Sequence, residues 1–174
     1  MSRKPVLCVI AALSLAGPVL AAPALAAPTA AQPVDTSRLL GRWYEILRTP
    51  NKMQSNCYAA YQEWARKGDE YTIGQVCHRD GPTGREAKVD VTAKSISADN
   101  TMFEAGFFGG MLHAKYQITD HAPDYSWMIA TTAGGHFPKL LARTPSLPAA
   151  EQDALKQRMA KLGFDVSKLE PSGG

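Results

Sequence analysis

Apolar and polar residues alternate most clearly at 87–93. Ala87, Val89, Val91 and Ala93 fall on one side, and Lys88, Asp90, Thr92 and Lys94 on the other. A period of two is that of a strand with one apolar and one wetted face. Strand-like runs recur at 42–49, 57–64, 71–77, 86–96, 101–107, 113–119, 125–132 and 137–143, separated by turn formers such as Lys67-Gly68-Asp69 and Asp80-Gly81-Pro82. No helix-length segment lies between successive runs, so the strands are expected to be antiparallel neighbours; a parallel pair needs a long crossover. Eight such strands either split into a sandwich or curl into a closed up-and-down barrel, which encloses room for one small ligand. The pattern favours the barrel.

The flanks read differently. Residues 34–40 suit one helical turn, with Asp35 or Thr36 as N-cap and Gly41 as its stop. Near 148–162 the period changes to that of an α-helix. Leu155, Met159 and Leu162 form one narrow apolar stripe, Ser146 is the expected N-cap, and Pro148 is tolerated in the first turn. Gly163 can end the helix in a left-handed conformation. A helix with one apolar stripe is expected to pack outside the sheet. Residues 164–170 read as a short extended segment and 171–174 as a tail.

Composition sharpens this once the chain is divided. The first 34 residues hold no aromatic residue and no acid, but 5 of the 12 prolines. Arg3 and Lys4, the apolar run Val6 to Leu20 and the Ala24-Leu25-Ala26 pattern predict a secretory signal peptide over 1–26. The run is too short, and too interrupted by Pro18, to span a bilayer. Cys8 lies near the start of the apolar run, not at its end where a lipid-anchored cysteine would stand. A soluble exported protein is expected, periplasmic or secreted, with residues 27–36 as a Pro/Ala tether and 37–170 as the barrel domain. The net charge is +3, and loss of Arg3 and Lys4 brings it to +1. No run of Lys and Arg is present, so nucleic acid is not an expected partner.

Cys57 and Cys77 then remain as an even pair in an oxidising compartment, which predicts a disulfide. A hairpin centred on Lys67 would pair residues whose numbers sum to 134, setting Cys57 opposite Cys77, Tyr61 opposite Ile73 and Ala59 opposite Gln75. The bond would close a loop worth about 3 kcal/mol in the chain-entropy description. Both faces of this hairpin carry aromatic residues. A one-residue slip inverts every side chain, so the inward face is left open.

The run Gly41-Arg42-Trp43-Tyr44-Glu45-Ile46 carries a G-x-W motif just after a helical turn and resembles the opening of a lipocalin. Asp124-Tyr125-Ser126-Trp127 is similar to the family's second signature, and Arg143, closing the eighth run, to its third. Phe107-Phe108-Gly109-Gly110 and Gly163-Phe164-Asp165-Val166-Ser167-Lys168-Leu169 resemble the bacterial branch, the group related to apolipoprotein D. The resemblance implies an eight-stranded antiparallel barrel with a short N-terminal helical turn and one external C-terminal helix. It implies that Trp43 closes one end beneath Arg143 in a cation–π contact. It also implies an extracytoplasmic carrier of small apolar molecules, with fatty acids or lysophospholipids as ligands. Two features depart from the bacterial relatives. The signal lacks a lipid-attachment cysteine, and His136-Phe137-Pro138-Lys139 is less apolar than expected. Pro138 cannot donate to a ladder, so the strand should begin after it or bulge there.

The site is expected in the barrel interior and at its mouth. Candidate ligand contacts are Tyr58, Tyr61, Trp64, Tyr71, Ile73, Val89, Val91, Phe107, Phe108, Met111 and Tyr116; Gly41, Trp43, Asp124, Tyr125 and Arg143 carry the fold signature. Lys115, Arg79 and Arg85 are candidate cations for an anionic head group. A 16-carbon chain half buried would gross about 6 kcal/mol at roughly 0.8 kcal/mol per CH₂. No cofactor and no metal are expected, because His78, His113, His121 and His136 show no metal-ligand spacing. No nucleophile elbow is present. Two other readings remain at this stage: a lipocalin-fold enzyme acting on a lipid or isoprenoid, one route needing a free cysteine, and a tetrapyrrole carrier. Transient contact with membrane lipid fits the carrier reading, and the sequence does not set the oligomeric state.

Overall fold

A computed structural model describes residues 32–172. The expected signal peptide at 1–26 and the first part of the tether lie outside the described residues. Strands run at Gly41–Arg48 (β1), Cys57–Lys67 (β2), Glu70–Arg79 (β3), Arg85–Ser95 (β4), Met102–Phe107 (β5), Leu112–His121 (β6), Trp127–Thr132 (β7) and His136–Ala142 (β8). Each pairs antiparallel with the next, and β1 pairs with both β2 and β8, so the sheet closes into an up-and-down barrel. Closure removes the free edges along most of the barrel; β1 pairs with β2 only over Gly41–Tyr44. The alternation of β4 settles which face points in. Val89, Val91 and Ala93 join the interior cluster, while Lys88, Asp90, Thr92 and Lys94 are exposed.

The β2–β3 hairpin corrects the expected register. Lys67 pairs with Glu70 around a two-residue turn, Gly68-Asp69, so paired numbers sum to 137 and not 134. Tyr61 faces Val76, Ala59 faces His78, and Cys77 lies opposite Ala60 rather than Cys57. The disulfide nevertheless forms between Cys57 and Cys77, with Cα atoms 5.4 Å apart. The reason is a bulge at Tyr58. Pairing steps from Ala59–His78 directly to Cys57–Arg79. One extra residue in a strand reverses the side chain's face, which turns Cys57 toward Cys77. A second irregularity falls at Pro138, as its missing N–H required. The β7–β8 register shifts between Ala130 and Thr132, and Phe137 has a φ of +54°.

The helix α1 spans Ala149–Lys161 and lies outside the barrel. Its N-cap is Pro148, without a side-chain cap, and not Ser146. Ser146 instead accepts a hydrogen bond at its carbonyl from the Thr144 hydroxyl. Leu155 and Met159 pack on Ile46, Leu47, Ile129 and Leu140 of the outer barrel wall. Gly163 ends the helix at φ +92°; its N–H donates to Ala160 O and that of Phe164 to Met159 O, a Schellman closure. The chain then adds a two-residue strand, β9 (Glu170–Pro171), to the second half of β1. The first half of β1 pairs with β2, so this segment fills the gap where β1 and β2 part.

The packed chain also begins earlier than the expected domain boundary. Val34 is buried in the interior cluster, and its N–H donates to Asp99 O. Asp35 caps the 3-10 turn Thr36–Leu39, accepting from Ser37 N. That turn closes one end of the barrel.

Candidate functional site

The closed end is built by the signature residues. Trp43 is fully buried, and its indole N–H donates to Leu39 O at 2.8 Å. The Arg143 guanidinium lies 3.7 Å from the Trp43 ring centre and donates to Arg42 O and Arg38 O. Burial lowers the Arg143 pKa from its ordinary value. Asp124 accepts from the Ser126 N–H and hydroxyl, which hold its carboxyl below the usual range. Tyr125, at φ +60°, stacks on His121 and accepts from Asp35 N, while Arg38 covers its ring at 4.6 Å. These groups hydrogen-bond to and stack on one another and on the first turn.

Above this floor sits an aromatic layer. Trp64 and Phe103 meet edge to face with centroids 5.6 Å apart, and Tyr71 lies 6.1 Å from Phe103. Over it lies an enclosed cavity of about 40 Å³, lined by residues that include Gln62, Ile73, Gln75, Val91, Phe103, Phe107, Tyr116 and Thr132. Ligand pockets commonly run to about 300–1,000 Å³. A chain-like ligand therefore enters this interior only when side chains near the mouth give way.

The inward positions of β1 beyond Trp43 are charged. Glu45 is buried; Lys139 donates to its carboxylate at 2.7 Å, Gln54 at 3.0 Å, and Arg48 stands 3.4 Å away. Arg48 also donates to Cys57 O, Ser172 Oγ and Glu170. The cluster ties β1, β8, β9 and the disulfide corner together at the mouth. Outside that corner a wider, open groove of about 530 Å³ runs past Arg48, Asn51, Gln54, Ser55, Tyr58 and Glu170. Its open walls offer a ligand little enclosure.

The expected contact residues divide by strand face. Trp64, Tyr71, Ile73, Val89, Val91, Phe107 and Tyr116 belong to the interior. Tyr61 does not: it stands on the outer wall, with Arg42 over its ring at 4.1 Å and Glu86 accepting from its hydroxyl. Burial raises its pKa from the ordinary value. Tyr58 is half exposed because the bulge turns it outward. Phe108 and Met111 are exposed on the β5–β6 loop at the rim, Met111 at 85%. Among the expected cations Lys115 borders the cavity, whereas Arg79 and Arg85 pair with each other across β3 and β4. Sequence reading missed Gln62, Gln75, Phe103, Glu45 and Lys139. The Gly-Asp dipeptide was the available signal for the first two. Read as a two-residue hairpin turn, it sets the register that places Gln62 and Gln75 opposite each other, on the face of Trp64 and Ile73.

Residues 34–172 match the family model described as a lipocalin-like domain. The chain belongs to the lipocalin family. It is 28% identical to apolipoprotein D of Mus musculus over 143 residues, covering 78% of this chain and 74% of that protein. Among solved structures, lobster apocrustacyanin A1 superposes with a TM-score of 0.63 at 14% identity, covering 80% of this chain and 79% of that one. Insecticyanin from the tobacco hornworm Manduca sexta gives 0.64 at 14%, covering 84% and 82%. At such identities the two structures establish the shared fold.

Proposed function

We propose that this lipocalin is an exported carrier that binds a small, largely apolar molecule inside its barrel, with fatty acids or lysophospholipids as first candidates. The observation that carries this reading is the enclosed cavity above the Trp64–Tyr71–Phe103 layer, apolar on most sides with a few placed polar groups. Such lining is what ligand sites of this class share. The Cys57–Cys77 bond supports an oxidising compartment, in keeping with the signal-like residues 1–26. Pairing both cysteines also removes the free thiol that one enzymatic route would need, which supports the carrier reading over that route.

The test is native mass spectrometry of protein purified from its own cell envelope, with extraction of what co-purifies, alongside titration with fluorescent fatty-acid and lysolipid probes. Binding at micromolar affinity is expected. Phe107→Ala should change probe affinity several-fold, and Tyr61→Ala on the outer wall should leave it within twofold. Protein that carries nothing and takes up neither probe would refute the carrier role.

A further inference from the structure

The interior holds one polar group that the fold itself does not use. Among the described residues, the Tyr116 hydroxyl is the single buried side-chain oxygen or nitrogen with no hydrogen-bond partner. A buried hydroxyl without a partner is costly, and folded proteins rarely keep one without a reason. Tyr116 lies on β6, pairs across the ladder with Phe103 and Thr132, and borders the interior cavity. The Gln62 side chain comes near the hydroxyl, but its oxygen already accepts from the Trp64 indole N–H and makes no hydrogen bond of ordinary geometry with Tyr116. Burial raises the phenol's pKa far above its ordinary value, with the Glu45 charge adding in the same direction. The group therefore stays a neutral donor through the physiological range.

The surroundings decide what it can bind. The polar side chains bordering the cavity are the uncharged Gln62, Gln75, Tyr116 and Thr132, together with Lys115, which is exposed on the outer parity of β6. Glu45 is the carboxylate whose field reaches Tyr116. A second carboxylate driven down to Tyr116 would face that charge and lose its water, because the buried cations Lys139 and Arg48 are already engaged by Glu45. A carbonyl, ether or hydroxyl oxygen meets no such penalty, and it supplies the acceptor that Tyr116 lacks.

We propose that Tyr116 is the ligand's buried anchor, and that the interior selects molecules carrying a neutral oxygen at the inserted end. An anionic lipid would bind the other way, tail inward and head at the mouth. This rests on the carrier reading above and adds orientation and chemical class to it.

The test compares 2-decanone with decanoate by calorimetric titration of the wild-type protein and Tyr116→Phe. The variant removes the hydroxyl and keeps the ring, so it should melt no lower than the wild type. The expected result is a five- to tenfold loss of 2-decanone affinity in the variant, with decanoate within twofold. Equal losses for both probes, or no loss for 2-decanone, would overturn the anchor while leaving the carrier intact. Failure of the wild type to bind either probe would reject the carrier reading and the anchor with it.

Discussion

At the closed end of the barrel the polar groups answer one another. Trp43 donates to Leu39 O, Arg143 to Arg42 O and Arg38 O, and Tyr125 accepts from Asp35 N. At the open end the Tyr116 hydroxyl has no partner, Glu45 holds two cations in a buried cluster, and Phe108 and Met111 are exposed. The two ends share the same eight strands and the same ladder. Groups that satisfy each other make a plug, whereas groups left with unused capacity make a place for something else. The open end is also where the fold needs additional fastening. The disulfide, the bulge at Tyr58 and the β9 segment all lie there, where β1 and β2 part.

The sharpest way to break this contrast is to remove the plug. Trp43→Ala takes a fully buried indole from beneath Arg143 and should cost about 4 kcal/mol in urea unfolding. At the other end Glu45→Ala leaves Lys139 and Arg48 buried without their shared carboxylate; about 3–4 kcal/mol is expected by the same measurement. If Glu45→Ala proves neutral, the charged cluster is not a fastening of the mouth. Replacing Cys57 and Cys77 together with serine should cost about 3 kcal/mol, and reducing agent should then have no further effect.

The smallest effect concerns pH. Asp165 is held at about 2 by the Ser167 hydroxyl and Lys168, and Asp35, Asp99 and Asp124 are lowered by hydrogen bonds from their own turns. A carboxyl whose pKa is lower in the folded state contributes above the unfolded value of 3.8, and that contribution disappears as pH falls toward 2. Stability should therefore decline between about pH 4 and 2, and Asp165→Asn should flatten the slope slightly. These capped turns lie on the surface, so raised salt should weaken the Lys168 part of the effect.

Strand order and the helix were legible because each depends on local signals, whereas the closing role of Trp43 came from the family resemblance. Ala87 to Lys94 alternate whatever they pack against, and Gly163 marks the end of α1 by its lack of a side chain. Tyr61 and Trp64 show where local signals fail. Three residues apart on one strand, both aromatic, they lie on opposite faces. Nothing in their identity says which points in. The paired cysteines pointed to the bond but suggested a register three residues off, because a disulfide between directly opposed cysteines and one reached through a bulge look alike in sequence.

By itself, then, the sequence determined an antiparallel all-β chain with an external helix and a cysteine pair, and its G-x-W motif marked a floor only through resemblance to a known family. Periodicity, turn chemistry and composition act over a few residues and need no knowledge of neighbours in space. The tertiary structure decided the register around Gly68-Asp69, the bulge that brings Cys57 to Cys77, the charges gathered at Glu45 and the partnerless hydroxyl of Tyr116. Those depend on which strands meet and in what alignment. Closing a sheet on itself fixes every alignment at once, so the inside of a barrel exists only when all its strands are in place.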